Sequence, residues 1–147
     1  MRLDTDPTCL FCKIIVGEIP SFKIAETTRA YAFLDIGPLS QGHSLVIPKQ
    51  HGLTIDHIDD EHLAECITLT RDVGSAVQDV TGVDGWNVLQ NNGEVAGQVV
   101  GHVHFHIIPR KNGDGLGYRW NVGEFNHDEA SELSSTIASC IKRQQGK

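Results

Sequence analysis

Apolar and polar residues alternate with period two from His102 to Ile107, which read His, Val, His, Phe, His, Ile. Side chains on a strand point alternately to opposite faces. The pattern therefore predicts a strand with Val103, Phe105 and Ile107 turned to a core and His102, His104 and His106 on the other face. Neighbours on one face of a strand lie roughly 6.5–7 Å apart, so three rings can address one ligand. Pro109 is expected to end the strand, because it has no N–H for the ladder.

The rest of the chain carries weaker signals of the same kind. Residues 21–26 and 29–35 read as strands of a hairpin turning at Thr27-Thr28, His43–Ile47 as a strand ended by Pro48, and Gly85–Gln90 as another. Helical spacing appears three times. Leu10, Phe11 and Ile14 share one side of a short helix that Gly17 ends. Leu63, Ile67, Thr70, Val73 and Val77 mark a long helix from Asp59 to about Val80, with Asp59 or Asp60 as N-cap and Thr81-Gly82 as its stop. Leu133, Ile137 and Cys140 or Ile141 mark a last helix from His127 to Ile141, with Asn126 and Glu129 as a capping-box variant. The expected fold is α+β: an antiparallel sheet with the long helix and the C-terminal helix packed on it. One domain spans 1–147, with residues 1–8 a loose leader, 110–117 a mobile loop and 142–147 a frayed tail.

Composition narrows the function. The chain has 147 residues, 39% of them hydrophobic, enough for one core. A net charge of −7 argues against a duplex nucleic-acid partner, which a basic face would serve, yet leaves room for a mononucleotide. The longest apolar runs are a few residues, so no membrane partner is expected, and the N-terminus lacks the apolar segment of a secretory signal. These features lead to a cytoplasmic protein, with the nucleus also open to it. Cys66 and Cys140 stand alone in helical patterns and read as small buried apolar residues.

The histidine strand carries two chemistries. Three imidazoles on one face can ligate zinc and activate its water, or one neutral imidazole can act as nucleophile while its neighbours hold an anion. Cys9 and Cys12, three apart, likewise admit a redox pair, two ordinary thiols, or half of a structural zinc site that His51 and His102 would complete.

Five segments, CLFCKIIVGEIPSFK, AYAFLDIGP, GHSLVIPKQH, WNVLQNNG and GQVVGHVHFHIIP, occur in an order and spacing that resembles the histidine triad family. The likeness covers Cys9 to about Arg110 and is nearest the nucleoside phosphoramidase branch. It implies a nucleotide hydrolase that cleaves AMP-bearing phosphoramidates through a nucleotidyl-histidine, with a purine nucleotide as substrate and AMP as product. By resemblance His104 is the nucleophile, His106 the donor to phosphate, and His102 a structural residue and zinc ligand beside Cys9, Cys12 and His51. Asp35 matches the residue that holds the ribose hydroxyls, and Phe11, Ile14, Phe33 and Ile36 match the base pocket. Asn91 matches the amide residue that touches the phosphate or the leaving group, and the backbone N–H groups near Gly97 and Gln98, in a Gly-containing loop between strands, are candidate phosphate donors. His43, at the start of its strand, would support the network. Val99 departs from the pattern, since many relatives carry Ser or Thr there. The C-terminal segment with Trp120 would shape specificity at a homodimer partner's site. The rivals are a zinc-water hydrolase, a dinucleoside polyphosphate hydrolase and a non-catalytic nucleotide-binding scaffold.

Overall fold

The computed structural model describes residues 4–117 and 122–146. A short helix, α1 (Leu10–Ile15), precedes a hairpin of β1 (Lys23–Glu26) and β2 (Ala30–Leu34), then β3 (Ser44–Pro48). The long helix α2 (Asp60–Thr81) follows, then β4 (Gly85–Gln90), β5 (Phe105–Arg110) and the C-terminal helix α3 (His127–Gln145). The strands form one antiparallel sheet in the order β1-β2-β3-β5-β4. The architecture is the α+β arrangement the hydrophobic pattern predicts.

Both faces of the sheet are covered, and strand parity sorts the core in two. Ala30, Ala32, Val46, Val103, Phe105 and Ile107 pack with Cys66, Leu69, Val73 and Val77 of α2. Tyr31, Phe33, Leu45 and Ile47, on the opposite parity, pack with Phe11 and Ile14 of α1. Burying an aliphatic or aromatic side chain of this size contributes about 1.5–3 kcal/mol. On that second face the histidines lie beneath α1, with His102 and His104 buried.

Helix α2 begins as expected: the Asp59 carboxylate accepts from the His62 N–H at 2.8 Å, where the helix dipole also favours an acid. Gly82, at φ +67°, closes it in the left-handed conformation that L side chains avoid. Its inner face is rotated from the predicted one. Cys66, Leu69, Thr70, Val73, Gly74 and Val77 are buried, whereas Ile67 is exposed. Gly74 offers no apolar side chain to mark the inner face, whereas Thr70 is buried as the spacing predicts, its hydroxyl donating to the Cys66 carbonyl at 2.7 Å.

Two boundaries also move. Strand β5 starts at Phe105 and includes Pro109, which pairs with Trp86. The Pro109 carbonyl accepts from Ser40 Oγ at 2.8 Å. A residue's N and C=O face the same side of a strand, so the missing N–H falls away from β4 and costs that ladder nothing. At the other end, His102 and Val103 leave the ladder: Val103 N–H donates to the Gly52 carbonyl at 2.9 Å. The leader is tied from Asp4, whose carbonyl accepts from the His51 N–H.

The sequence reads as one domain, and the contacts divide it into two compact units, residues 1–116 and 117–147. In the second unit α3 starts at Asn126, whose side chain accepts from the Asp128 and Glu129 N–H groups. It runs to Gln145, beyond the expected end at Ile141, and buries none of its residues. Cys140, expected inside, is exposed. No helix among the described residues is long and apolar enough to cross a membrane.

Candidate active site

The three triad histidines face the α1 side, and a chain of hydrogen bonds sets the tautomer of each. The His104 ring nitrogen Nδ1 lies 2.7 Å from the His102 carbonyl. A carbonyl only accepts, so Nδ1 carries the proton and Nε2 keeps a bare lone pair. His43 Nδ1 accepts from the Leu39 N–H at 3.0 Å, so its Nε2 is protonated. That Nε2–H reaches His106 Nδ1 at 2.9 Å, which leaves Nε2 as the N–H of His106. One ring thus offers a lone pair and its neighbour, 4.9 Å away between centroids, a proton.

Burial holds these rings neutral. Burial lowers the His104 pKa, partly opposed by the hydrogen bond to the His102 carbonyl. Burial, reinforced by His104 and His43, pushes His106 down to about 4. His43 is lowered by burial while the Asp35 carboxylate opposes the shift.

His104 and His106 open on a cavity of about 330 Å³, lined also by Phe11, Ile14, Phe33, Asp35, Ile36 and Val99. The apolar base-pocket candidates are therefore divided in character. Phe11, Ile14 and Phe33 are core residues that also form the cavity wall, while Ile36 is 89% exposed at its rim. Asp35 Oδ1 accepts from the Gly37 N–H at 2.8 Å, and Oδ2 lies 3.4 Å from His43 Nε2. Sequence reasoning missed Ile19, Pro20, Ser21, Leu45 and Val100 in the lining. Ile19-Pro20-Ser21 stood in one of the family-like segments, but nothing in its spacing marks a cavity wall.

The loop after β4 is braced from within. Gln98 is buried; its Oε1 accepts from Gly93 N–H at 2.8 Å and its Nε2 donates to the carbonyls of Leu53 and Val100. Gly97 N–H donates to the Glu94 carbonyl and Gln98 N–H to the Gly93 carbonyl. The N–H groups of Gly97 and Gln98 themselves thus close the loop, which leaves the candidate phosphate donors of this stretch to their neighbours. The Val99 N–H, next in the chain, has no acceptor among the described residues. Asn91 reaches the Gly97 carbonyl at 3.5 Å, the long limit of a hydrogen bond. Trp120 lies outside the described residues.

Behind the cavity, Cys9, Cys12, His51 and His102 bring four ligand atoms within 4.8 Å of one another. His102 Nε2–H donates to the Pro48 carbonyl at 2.9 Å, so Nδ1 is its lone pair. That atom lies 3.4 Å from Cys9 Sγ, 3.6 Å from Cys12 Sγ and 3.3 Å from His51 Nδ1, and Cys12 Sγ is 3.6 Å from His51 Nδ1. Tetrahedral zinc, with bonds near 2.3 Å to sulfur and 2.0–2.1 Å to nitrogen, requires S···N edges of roughly 3.5 Å and an N···N edge of roughly 3.3 Å. The four side chains fit such an ion. The Pro48 carbonyl supplies the outer hydrogen bond that orients a ligating imidazole. Without a cation, burial pushes the Cys12 thiol up to about 11, which does not suit a reactive redox pair. Asp35, His43 and His106 also converge, but their contacts are spent on one another.

A family model described as the HIT domain matches residues 16–113, two thirds of the chain. This protein belongs to the HIT family. It is 46% identical over 136 residues to the adenosine 5'-monophosphoramidase of Schizosaccharomyces pombe, covering 92% of this chain and 99% of that one. A solved histidine triad nucleotide-binding protein from Candida albicans matches with a TM-score of 0.84 and 41% identity over 92% of this HIT protein and 99% of the other. A zinc-bound histidine triad family protein from Mycobacterium smegmatis matches with a TM-score of 0.71 and 31% identity over 93% and 97%.

Proposed function

We propose that this HIT protein hydrolyses adenosine 5'-phosphoramidates through a covalent nucleotidyl-histidine. The observation that carries the reading is the His104 tautomer: its Nδ1–H is held by the His102 carbonyl, so a bare Nε2 faces the cavity beside the His106 N–H. Neutral imidazole is a competent nucleophile. His104 Nε2 attacks the α-phosphorus, its N–P bond forms, the bond to the leaving amine breaks, and the amine takes up a proton from solvent water as it departs. Water then cleaves the nucleotidyl-histidine and releases AMP. His106 Nε2–H and the Val99 N–H donate to the phosphate oxygens as charge develops. Asp35 holds the ribose hydroxyls, Phe11, Ile14, Phe33 and Ile36 receive the purine, and Asn91 lies near the leaving group. Gly97 and Gln98 hold the loop that presents Val99. His43 orients His106.

Cys9, Cys12, His51 and His102 would hold a structural zinc ion. It would supply no chemistry to the reaction but would clamp α1 and the loop at His51 to the start of the histidine segment. The buried free thiol of Cys66 suits a reducing, cytoplasmic setting. The edge strand β4, GWNVLQ, carries no charge to block pairing, which supports a homodimer that continues the sheet.

Intact-protein mass after brief incubation with an adenosine phosphoramidate tests the reading. The expected result is a transient AMP-sized adduct on the wild type and on His106→Ala, absent from His104→Ala. Turnover without an adduct, lost on chelation, would instead favour zinc-bound water. Absence of both would favour the binding-scaffold reading.

A further inference from the structure

We propose that Asp35 is a positioning residue for His106, acting through His43, beyond its place at the ribose; the inference rests on the phosphoramidase reading above. Asp35 follows β2 directly, and its backbone N–H donates to the His43 carbonyl at 2.9 Å, which fixes the two residues side by side. The two carboxylate oxygens have different tasks. Oδ1 is held by the Gly37 N–H at 2.8 Å, and this anchors the group so that Oδ2 stands 3.4 Å from His43 Nε2. His43 itself is 3% exposed, so water cannot replace a lost partner there.

The His43 ring has one orientation that satisfies all its neighbours. Nδ1 must meet the Leu39 N–H, and Nε2–H must meet His106 Nδ1 while the Asp35 Oδ2 charge lies 3.4 Å from the same nitrogen. Turning the ring over would set C–H groups against a buried donor and a carboxylate. The Leu39 N–H selects the tautomer, and the Asp35 charge selects the orientation that aims that proton at His106. Fixing the His106 tautomer leaves its Nε2–H to meet the phosphate. When that N–H shares its proton with developing charge, the paired rings gain positive character, which the nearby carboxylate stabilises. The Asp35 charge opposes the burial-driven lowering at His43 and His106.

The ribose role and the positioning role separate on a substrate without ribose hydroxyls. Wild type and Asp35→Asn are compared on an adenosine phosphoramidate and on its 2',3'-dideoxy analogue. Asp35 Oδ2 acts on His43 across 3.4 Å as a Coulombic partner, since the Nε2 proton is already given to His106. The expected result is a kcat for Asp35→Asn about tenfold below wild type on the dideoxy substrate, with KM little changed. In a His43→Asn background the same Asp35→Asn change should have little further effect, because the route runs through His43. A dideoxy kcat unchanged within about twofold, with only the riboside KM raised, overturns the proposal and leaves the phosphoramidase reading intact. Failure of the wild type to turn over the riboside removes that reading instead. Imidazole ¹⁵N spectra of the substrate-free protein give a second measurement, independent of turnover. A single Nε2–H tautomer of His106 in wild type and a tautomer mixture in Asp35→Asn support the proposal; identical tautomers overturn it.

Discussion

Replacing Gly74 by alanine should destabilise this protein, against the usual benefit of removing a helix-interior glycine. In an unpacked helix the change gains about 0.5–1 kcal/mol from backbone entropy and propensity. Here the new methyl would stand 2.3 Å from Cη2 and Cζ3 of Trp86 and 2.7 Å from Cε3. An ordinary carbon contact lies at about 3.5–4.0 Å, so the ring must retreat by more than about 1 Å. It is poorly placed to do so. The indole Nε1–H donates to Gln78 Oε1 at 3.2 Å, the ring packs against the α2-side core, and the backbone is paired with Pro109 in β5. Overpacking of this kind costs about 1–3 kcal/mol, and so large an overlap belongs at the top of that range. The net expectation is a loss of about 2 kcal/mol. Urea unfolding at fixed zinc concentration measures it, because bound metal shifts the midpoint by mass action. The control is Trp86→Leu, which removes the obstructing ring edge. In that background Gly74→Ala should become neutral or stabilising. Gly74→Ala as stable as wild type with Trp86 present would refute the packing argument.

Two further outcomes follow from the site. The kcat/KM profile should be flat near neutrality and fall only below the usual imidazole pKa of about 6.5, because burial holds His104 low and His106 down to about 4. An acid limb centred above 6.5 would show that these rings are not buried neutral. The same depression makes stability full above about 6.5 and lost as pH falls from there toward about 4, since only the unfolded chain binds the proton in that interval. Acid titration of the fold by circular dichroism checks the sign. Cys12→Ser should drop bound zinc, measured by elemental analysis, from about one ion per chain to a small fraction, with a lowered Tm. Undiminished zinc in that variant would refute the four-ligand site.

Much of this molecule was legible because local rules sufficed. The alternation at 102–107 predicted which of six side chains turn to the α2-side core, although β5 itself begins only at Phe105. Asp59 and Gly82 announced the ends of α2, and Asn126 the start of α3, because each satisfies orphan backbone groups within a few residues. The rotated face of α2 was only partly legible: Cys66 was read as buried, but burial of Gly74 depends on what lies opposite, the Trp86 ring. Nor did the sequence mark Gln98 as the brace of its loop. A glutamine beside glycines resembles any polar loop residue until Leu53, distant in sequence, is brought beside it.

The α+β element order, the shared face of the three histidines and the candidate zinc ligands as residue types can all be read from the chain. All of these follow from backbone periodicity, capping chemistry and donor identity, which act over a few residues. Which nitrogen of each ring carries the proton is settled by contacts in the folded chain. His104 owes its bare Nε2 to a carbonyl two residues away, but His43 and His106 meet across strands, and the 3.3 Å approach of His51 to His102 joins chain positions 51 residues apart. A tautomer is fixed by the partner a ring finds in space, and strand pairing supplies that partner.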